Sequence, residues 1–524
     1  MLSTSPLHRR FVRNSALVIS MLGCSLGGLL QAEQISPLAK APNWADLVRF
    51  QETMTRADFE RALFTIYSDE ISSKTTIKIS DEAVSIKRRA DRDELLSIPF
   101  LAPEDGDEDV DPEILKRFWT PAASLPKLLN GEAPLSGLHI AIDPGHIGGE
   151  WAQMEERWFQ IGDKNEVKEG DITLLVANML KPELEALGAK VTLVRDRAEP
   201  TTKTRPKLLE NQARVFLIQK GVGKPDESYE DPADDRRVFS VQWQAEKLFY
   251  RTAEIRARAD LVNDEIQPDL VLCIHFNAEG WGDPLNPQFV ENNHLHLLVN
   301  GTYSMGELAH DDIRFEMLQR LFSRTHMEEI GLARAIAPAM AEVTGLEPYV
   351  YPGRNARLIG DDEYVYARNL LANRLFECPV IYFEPYVMNH EEVYERLGVG
   401  DYVGRTLVAG ELRKSIYRDY VNGVVSGLLT YYINARSEEG IAPPELPELP
   451  NNRPETRPVE AQIPVEEGTP MPEETIPAEP SPTEISPEPQ PVPALPTPLA
   501  PPVVPELTPA VPPTVPDAEV GIDQ

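Results

Sequence analysis

Three observations predict an α/β protein. It should have a largely parallel twisted sheet with helices on both faces, a small α+β N-terminal region and a disordered Pro-rich C-terminal tail. First, apolar runs of five to seven residues alternate with helix-period segments between about 137 and 434, the pattern of a parallel sheet with crossover helices. Second, residues 441–524 hold 25 of the chain's 48 prolines, fifteen acidic residues, two Arg and no aromatic residue. Such a stretch cannot bury enough apolar surface to offset chain entropy. Third, residues 33–135 mix a helical period with a short alternating stretch and lack the strand–helix repeat.

The elements follow in order. Residues 1–32 have signal-peptide form. His8, Arg9, Arg10 and Arg13 make a basic start, Ala16 to Leu30 is apolar, and Leu30-Gln31-Ala32 offers a cleavage site. A retained anchor, lipidation at Cys24 and twin-arginine export through Arg9-Arg10 are weaker readings of the same residues. Trp44, Leu47, Phe50, Met54, Phe59 and Leu63 share a helical face within Asn43 to Tyr67. Thr75 to Arg88 alternates as strands do, and Glu104 to Asp111 is an acidic break. Strands are expected at Gly137 to Asp143, Lys190 to Val194, Asp269 to Ile274, Leu295 to Val299 and Pro379 to Phe383. Helices are expected at Asp171 to Leu187, Thr252 to Ile266, about 311–343 and about 406–434. The domain plan is a signal peptide over 1–32, an accessory region over 33–135, a catalytic domain over 136–436 and a tail over 437–524. Residues of about 197–250 form an insertion that should cover or border the cleft. The tail is expected to be a semi-rigid spacer and a candidate link to an envelope partner.

Charge and cysteine usage narrow the function. The chain has 524 residues and a formal charge of −33. Residues 1–32 carry three Arg and no acid, so a chain lacking them stands at −36. That balance excludes nucleic acid as a partner, because Lys and Arg must replace phosphate counterions. Three cysteines make no disulfide scaffold; Cys273 and Cys378 read as buried small hydrophobes. No apolar run after the leader is long enough to span a membrane.

In sheets of this kind ligands bind outside the carboxyl ends of the strands. The first strand runs into Asp143-Pro144-Gly145-His146, the third into His275-Phe276-Asn277-Ala278 and the last into Glu384-Pro385-Tyr386, while Glu169 opens the first long helix. Two His and a Glu are a sufficient zinc set with a position left for water, and a further carboxylate can move protons. Each residue alone also has an ordinary reading, as a cap, a dipole partner or a solvated strand end.

The order Asp143-Pro-Gly-His146, Glu169-x-Asp-x-Thr-Leu, Gly-Ala-Lys-Val-Thr-Leu-Val-Arg195, Ile274-His-x-Asn-Ala278 and Glu384-x-x-x-x-Asn389 resembles the zinc-dependent N-acetylmuramoyl-L-alanine amidases of the third amidase family of cell-wall hydrolases. The resemblance covers roughly 137–433. It implies Zn2+ held by His146, Glu169 and His275, Glu384 as the catalytic acid/base, and peptidoglycan as substrate. It also implies an exported protein of the periplasm, cell envelope or exterior. A binding protein that lost the chemistry, or a zinc amidohydrolase for another amide, shares these residues in whole or part. Three departures stand out: Ile147 before Gly148-Gly149, some twenty residues between His146 and Glu169, and the insertion. Glu166 is a rival for the Glu169 position, and His294 is a further candidate site residue. Arg256 or Arg258 with Ala259 and Asn263 resembles a family helix read here as packing.

Overall fold

The computed structural model describes residues 34–90, 92–102, 117–231, 234–280, 287–441 and 444–447. The leader 1–32, the acidic break Glu104 to Asp111 and nearly all of the tail lie outside the described residues.

Eight strands make the main sheet: β1 His139–Pro144, β2 Lys190–Leu193, β3 Leu270–Ile274, β4 His294–Val299, β5 Glu347–Pro348, β6 Arg357–Leu358, β7 Val365–Ala367 and β8 Val380–Pro385. Their order is β6-β7-β4-β8-β3-β1-β2, with β5 also on β4. The pairs β1–β2, β1–β3 and β3–β8 are parallel. β4 runs antiparallel to β8 and parallel to β7 and β5. The sheet is therefore largely parallel, as the alternation of strands and helices predicts.

Side-chain alternation explains why the strands are apolar throughout. In β1 and β3, Ile140, Ile142, Leu270 and Leu272 face one core with Leu180 and Leu184 of the helix Glu169–Ala186. Ala141, Val271 and Cys273 face a second core with Trp119, Ala259 and Val262. Both sheet faces are covered, so β1 from Ile140 to Ile142 and β3 throughout carry no polar side chain. Cys273 and Cys378 are buried free thiols, as expected. On the first face the helices Thr325–Thr344 and Ile416–Ala435 cross closely. Gly427 permits this, since a side chain there would run into the Ile336 backbone.

The N-terminal region belongs to the same compact unit. The expected helix over Asn43 to Tyr67 is broken. A 3-10 turn, Trp44–Phe50, stops at Glu52, whose φ is 57°. Helix Arg56–Ala62 restarts at Thr55, whose hydroxyl accepts from Asp58 N, and it widens over Leu63–Tyr67. The strands Ile77–Ile79, Ala83–Lys87 and Leu95–Pro99 form a separate antiparallel sheet. Phe50 stacks on Phe322 and Phe59 lies tilted against it, each with ring centres 5.4 Å apart, so this region shares the main core rather than sitting apart from it.

Two further differences have physical causes. Residues expected to begin the closing helix at 406 form the hairpin Thr406–Val408 and Glu411–Arg413. Ala409 and Gly410 both have positive φ, 50° and 79°, the two-residue turn that closes a hairpin. The start of the expected tail stays on the domain: Ile441 and Leu446 pack against the core, and Arg334 Nη1 donates to Glu445 O at 3.2 Å. The insertion folds as a helix pair, Pro206–Gln219 and Val241–Leu248. It buries Leu209, Ala213 and Leu217 against Val241, Ala245 and Ile147 in a core of its own.

Helix Thr325–Thr344 is pinned to the sheet by a buried ion pair. Arg320 bonds Glu329, and Glu329 Oε1 also accepts from Val380 N at 3.0 Å. Replacing Arg320 by Met strands the Glu329 charge, so urea denaturation should show a loss of roughly 3–5 kcal/mol.

Candidate active site

The cleft opens where β1, β3 and β8 end. His146 follows β1 with φ of 58°, a left-handed backbone that turns the chain sharply out of the strand. Arg258 holds this turn from below. Its Nη1 donates to Asp143 Oδ1 and to Pro144 O, both at 2.8 Å, and its Nη2 donates to His146 O at 2.7 Å. The packing role expected of that helix is thus a specific clamp on the His146 turn. Burial opposes the Arg258 charge, while Asp143 and Glu254 hold it protonated.

Glu169 is the first residue of its helix and is buried. Its Oε2 lies 3.1 Å from His146 Nε2 and 3.4 Å from Arg157 Nε. Its Oε1 lies 3.1 Å from His275 Nδ1 and accepts from Phe276 N at 3.2 Å. One donor atom from each of His146, Glu169 and His275 lies within 4.8 Å of the others. The structure therefore brings together the three residues that the sequence singles out as a metal set. Burial would push the Glu169 carboxyl up, but both imidazoles hold it below its ordinary range. Burial lowers His146, yet the charges of Glu169 and Glu155 carry it up to about 9. Burial holds His275 below the usual histidine value.

Two packing contacts fix the His275 ring. It stacks on Tyr382 at 4.2 Å, with 15° between planes. On the other side it lies over Gly145, where any side chain would run into the ring. Tyr420 donates to His275 O at 3.1 Å. Asn389 braces the loop beyond, accepting from Glu279 N at 3.1 Å and donating to Glu279 O at 3.0 Å.

Glu384 lies at the end of β8 and lines the same cavity of about 710 Å3 as the three residues above. Burial and the neighbouring Glu169 charge push its carboxyl up to about 8, against the pull of Arg157, His146 and Arg368. A carboxyl that titrates near neutrality in a cleft can both take and return a proton. The rival Glu166 stays outside, paired with Lys168 Nζ at 2.9 Å. His294 does not line the cavity; its Nε2 lies 3.5 Å from Glu279 Oε1. His296 does line it, directly opposite Glu384 in the ladder.

The sequence reading missed several cavity residues. Arg157 and Glu156 come from the extra residues between His146 and Glu169, Arg237 from the insertion, Arg251 from just after it, and Arg368 and Tyr351 from around β7. Arg237 Nη2 lies 3.0 Å from Glu156 Oε1, which also accepts from Trp243 Nε1 at 3.1 Å. The insertion therefore borders the cleft, as expected. Glu155 is a further missed residue. It is buried, accepts from Ile147 N at 2.9 Å and Gly148 N at 3.0 Å, and places Oε1 3.6 Å from His146 Nδ1. The acid cluster of this segment was the only signal for it.

No family model and no curated protein matches the sequence. Among solved structures the chain is similar to the CwlD amidase of Clostridioides difficile in complex with the GerS lipoprotein, at 11% identity and TM-score 0.32, over 56% of this chain and 98% of that one. It is similar to the N-acetylmuramyl-L-alanine amidase Ami1 of Mycobacterium smegmatis, at 12% identity and TM-score 0.30, over 57% and 98%. It is also similar to the N-acetylmuramoyl-L-alanine amidase AmiC2 of Nostoc punctiforme, at 13% identity and TM-score 0.29, over 57% and 98%.

Glu155→Ala leaves two buried N–H groups unpaired. Thermal and urea unfolding should report a loss of about 1–3 kcal/mol for each group, larger than for the exposed Glu150→Ala.

Proposed function

We propose that the chain is an exported zinc-dependent amidase. It would hydrolyse the amide between the lactyl group of N-acetylmuramic acid and the L-alanine of the stem peptide in peptidoglycan. The observation that supports this most is the convergence of His146, Glu169 and His275 beside Glu384 in one cavity. Two imidazole nitrogens and one carboxylate are a zinc donor set that leaves a position for water or substrate, so the residues fit the metal. The substrate rests on the sequence resemblance, and export rests on the signal form of residues 1–32.

When bound, zinc supplies Lewis-acid polarisation of the scissile carbonyl and acidification of water. The chain's own groups do the rest. Phe276 N–H and Arg157 keep the Glu169 carboxylate oriented and charged. Tyr382 and Gly145 hold the His275 ring in one plane. Glu384 takes the proton of the attacking water on its carboxylate and returns it to the leaving alanine nitrogen. Its elevated titration suits both halves of that transfer.

Digestion of purified peptidoglycan, with mass analysis of the products, tests the reading. Stem peptides with a free L-alanine amine and glycan with intact lactyl groups are expected, and a chelator should stop their release. Unchanged digestion in chelator, or cleavage only within the peptide, refutes it. His275→Ala should lose stoichiometric zinc by elemental analysis while its circular dichroism persists. Glu384→Gln should keep zinc and lose activity by roughly 10²-fold or more; activity within a few-fold of the parent removes Glu384 from the chemistry.

A further inference from the structure

Four guanidinium groups line the cavity, Arg157, Arg237, Arg251 and Arg368, and the reaction above uses only Arg157. Three face carboxylates. Arg157 Nε lies 3.4 Å from Glu169, Arg237 Nη2 3.0 Å from Glu156, and Arg251 Nη2 4.0 Å from Glu156. Arg368 has no carboxylate within ion-pair distance among the described residues. Its Nη1 donates to Tyr351 Oη at 3.2 Å, and its guanidinium carbon lies 5.4 Å from the Tyr351 ring centre. A guanidinium carries five N–H donors, and this one spends a single donor on a described partner.

The group is held ready rather than left loose. Tyr351 Oη lies 2.9 Å from His296 Nε2. Arg368 donates to the same hydroxyl oxygen, and burial keeps His296 neutral. His296 in turn is fixed in β4 opposite Glu384. Tyr349 and Tyr366 meet the Tyr351 ring edge to face, with ring centres 4.7 and 4.9 Å away, and back the arrangement. A planar cation with unspent donors, pre-oriented in a cleft, matches a carboxylate in two parallel hydrogen bonds. The chain's formal charge of −33 makes a general affinity for anions an unsuitable explanation.

We propose that Arg368, oriented by Tyr351 and His296, forms a subsite that binds a free carboxylate on the peptide side of the substrate, beside the bond that Glu384 acts on. The subsite deepens the amidase reading and rests on it for the identity of the peptide. It makes the site select stem peptides with a free carboxylate over those with a carboxamide at the same position. The discrimination arises because a carboxamide keeps one acceptor oxygen but turns its N–H2 against a donor-only cation, so one of the two parallel hydrogen bonds is lost and a donor on each side is left unpaired.

The test compares soluble muropeptides in which each stem carboxylate in turn is free or a carboxamide, using the full-length protein. For one position, kcat/KM should favour the free acid by about 10-fold or more, chiefly through KM. Arg368→Gln should bring that ratio to within about twofold, and Arg368→Lys should restore it only in part. Tyr351→Phe serves as the second variant, because it removes the hydroxyl that orients the guanidinium; it should lower the ratio with an unchanged circular dichroism spectrum. A wild-type ratio within twofold at every position overturns the subsite, and so does a ratio that survives Arg368→Gln. If no muropeptide is hydrolysed, the amidase reading fails, and calorimetric binding of the same pairs decides the subsite. Preference for the free acid that disappears in Arg368→Gln upholds it; equal binding or no binding overturns it.

Discussion

The buried carboxylate of Glu169 is the interaction on which the site depends. Taking a carboxylate out of water is costly unless charge and hydrogen bonds replace the lost hydration. Here the replacement comes from four directions: the His146 ring, the His275 ring, the Phe276 N–H and Arg157. The first-turn position of Glu169 adds the favourable end of the helix dipole. These partners come from three segments, after β1, after β3 and between His146 and Glu169, so the carboxylate closes the site only when β1, β3 and the long helix are already packed. The two sheet-face cores and the Arg258 clamp provide that packing.

The cleft's walls are made by segments that the sheet does not need. The residues between His146 and Glu169 carry Glu155 towards the backbone of the His146 turn and Glu156 towards the insertion. The insertion answers with Trp243 and Arg237, and its helix pair buries its own apolar core against Ile147. The segment between His146 and Glu169 and the insertion therefore meet one another. Each extra segment supplies partners to the other. Elsewhere in the cavity the antiparallel pairing of β4 with β8 sets His296 opposite Glu384, and the residue after β7, Arg368, lines the same cavity.

The N-terminal region is bound to this scaffold through apolar contact and backbone pairing. Phe50 and Phe59 embrace Phe322, and Tyr303 N donates to Tyr67 O at 2.6 Å. Its helical period was real, since the apolar face at Leu47, Phe50, Phe59 and Leu63 is buried. The period did not require one straight helix. A left-handed residue at Glu52 and the cap at Thr55 let the same face wrap around the helix Asp311–Ser323.

What the sequence determined by itself is what short-range chemistry encodes. Runs such as Leu270–Ile274 are apolar at every position, so they had to be strands buried on both faces, and polar residues could appear only at their ends. That rule alone located His146, His275 and Glu384, and the helix start located Glu169. Ala409-Gly410 was equally local, a hairpin turn overlooked because the following helix has a strong apolar period. Tertiary structure decided the rest, because the groups concerned are far apart in the chain and ordinary in isolation. Nothing near Arg368 distinguishes it from other surface arginines until β7 pairs with β4 and sets it over Tyr351. Nothing near Glu155 marks it until two backbone N–H groups turn towards it. The strand order also had no local signal: β4 lies between β7, to which it is parallel, and β8, to which it is antiparallel. Strand identity is written in each residue's own burial, whereas partner choice is an energy of pairs that exists only after the chain has closed its long loops.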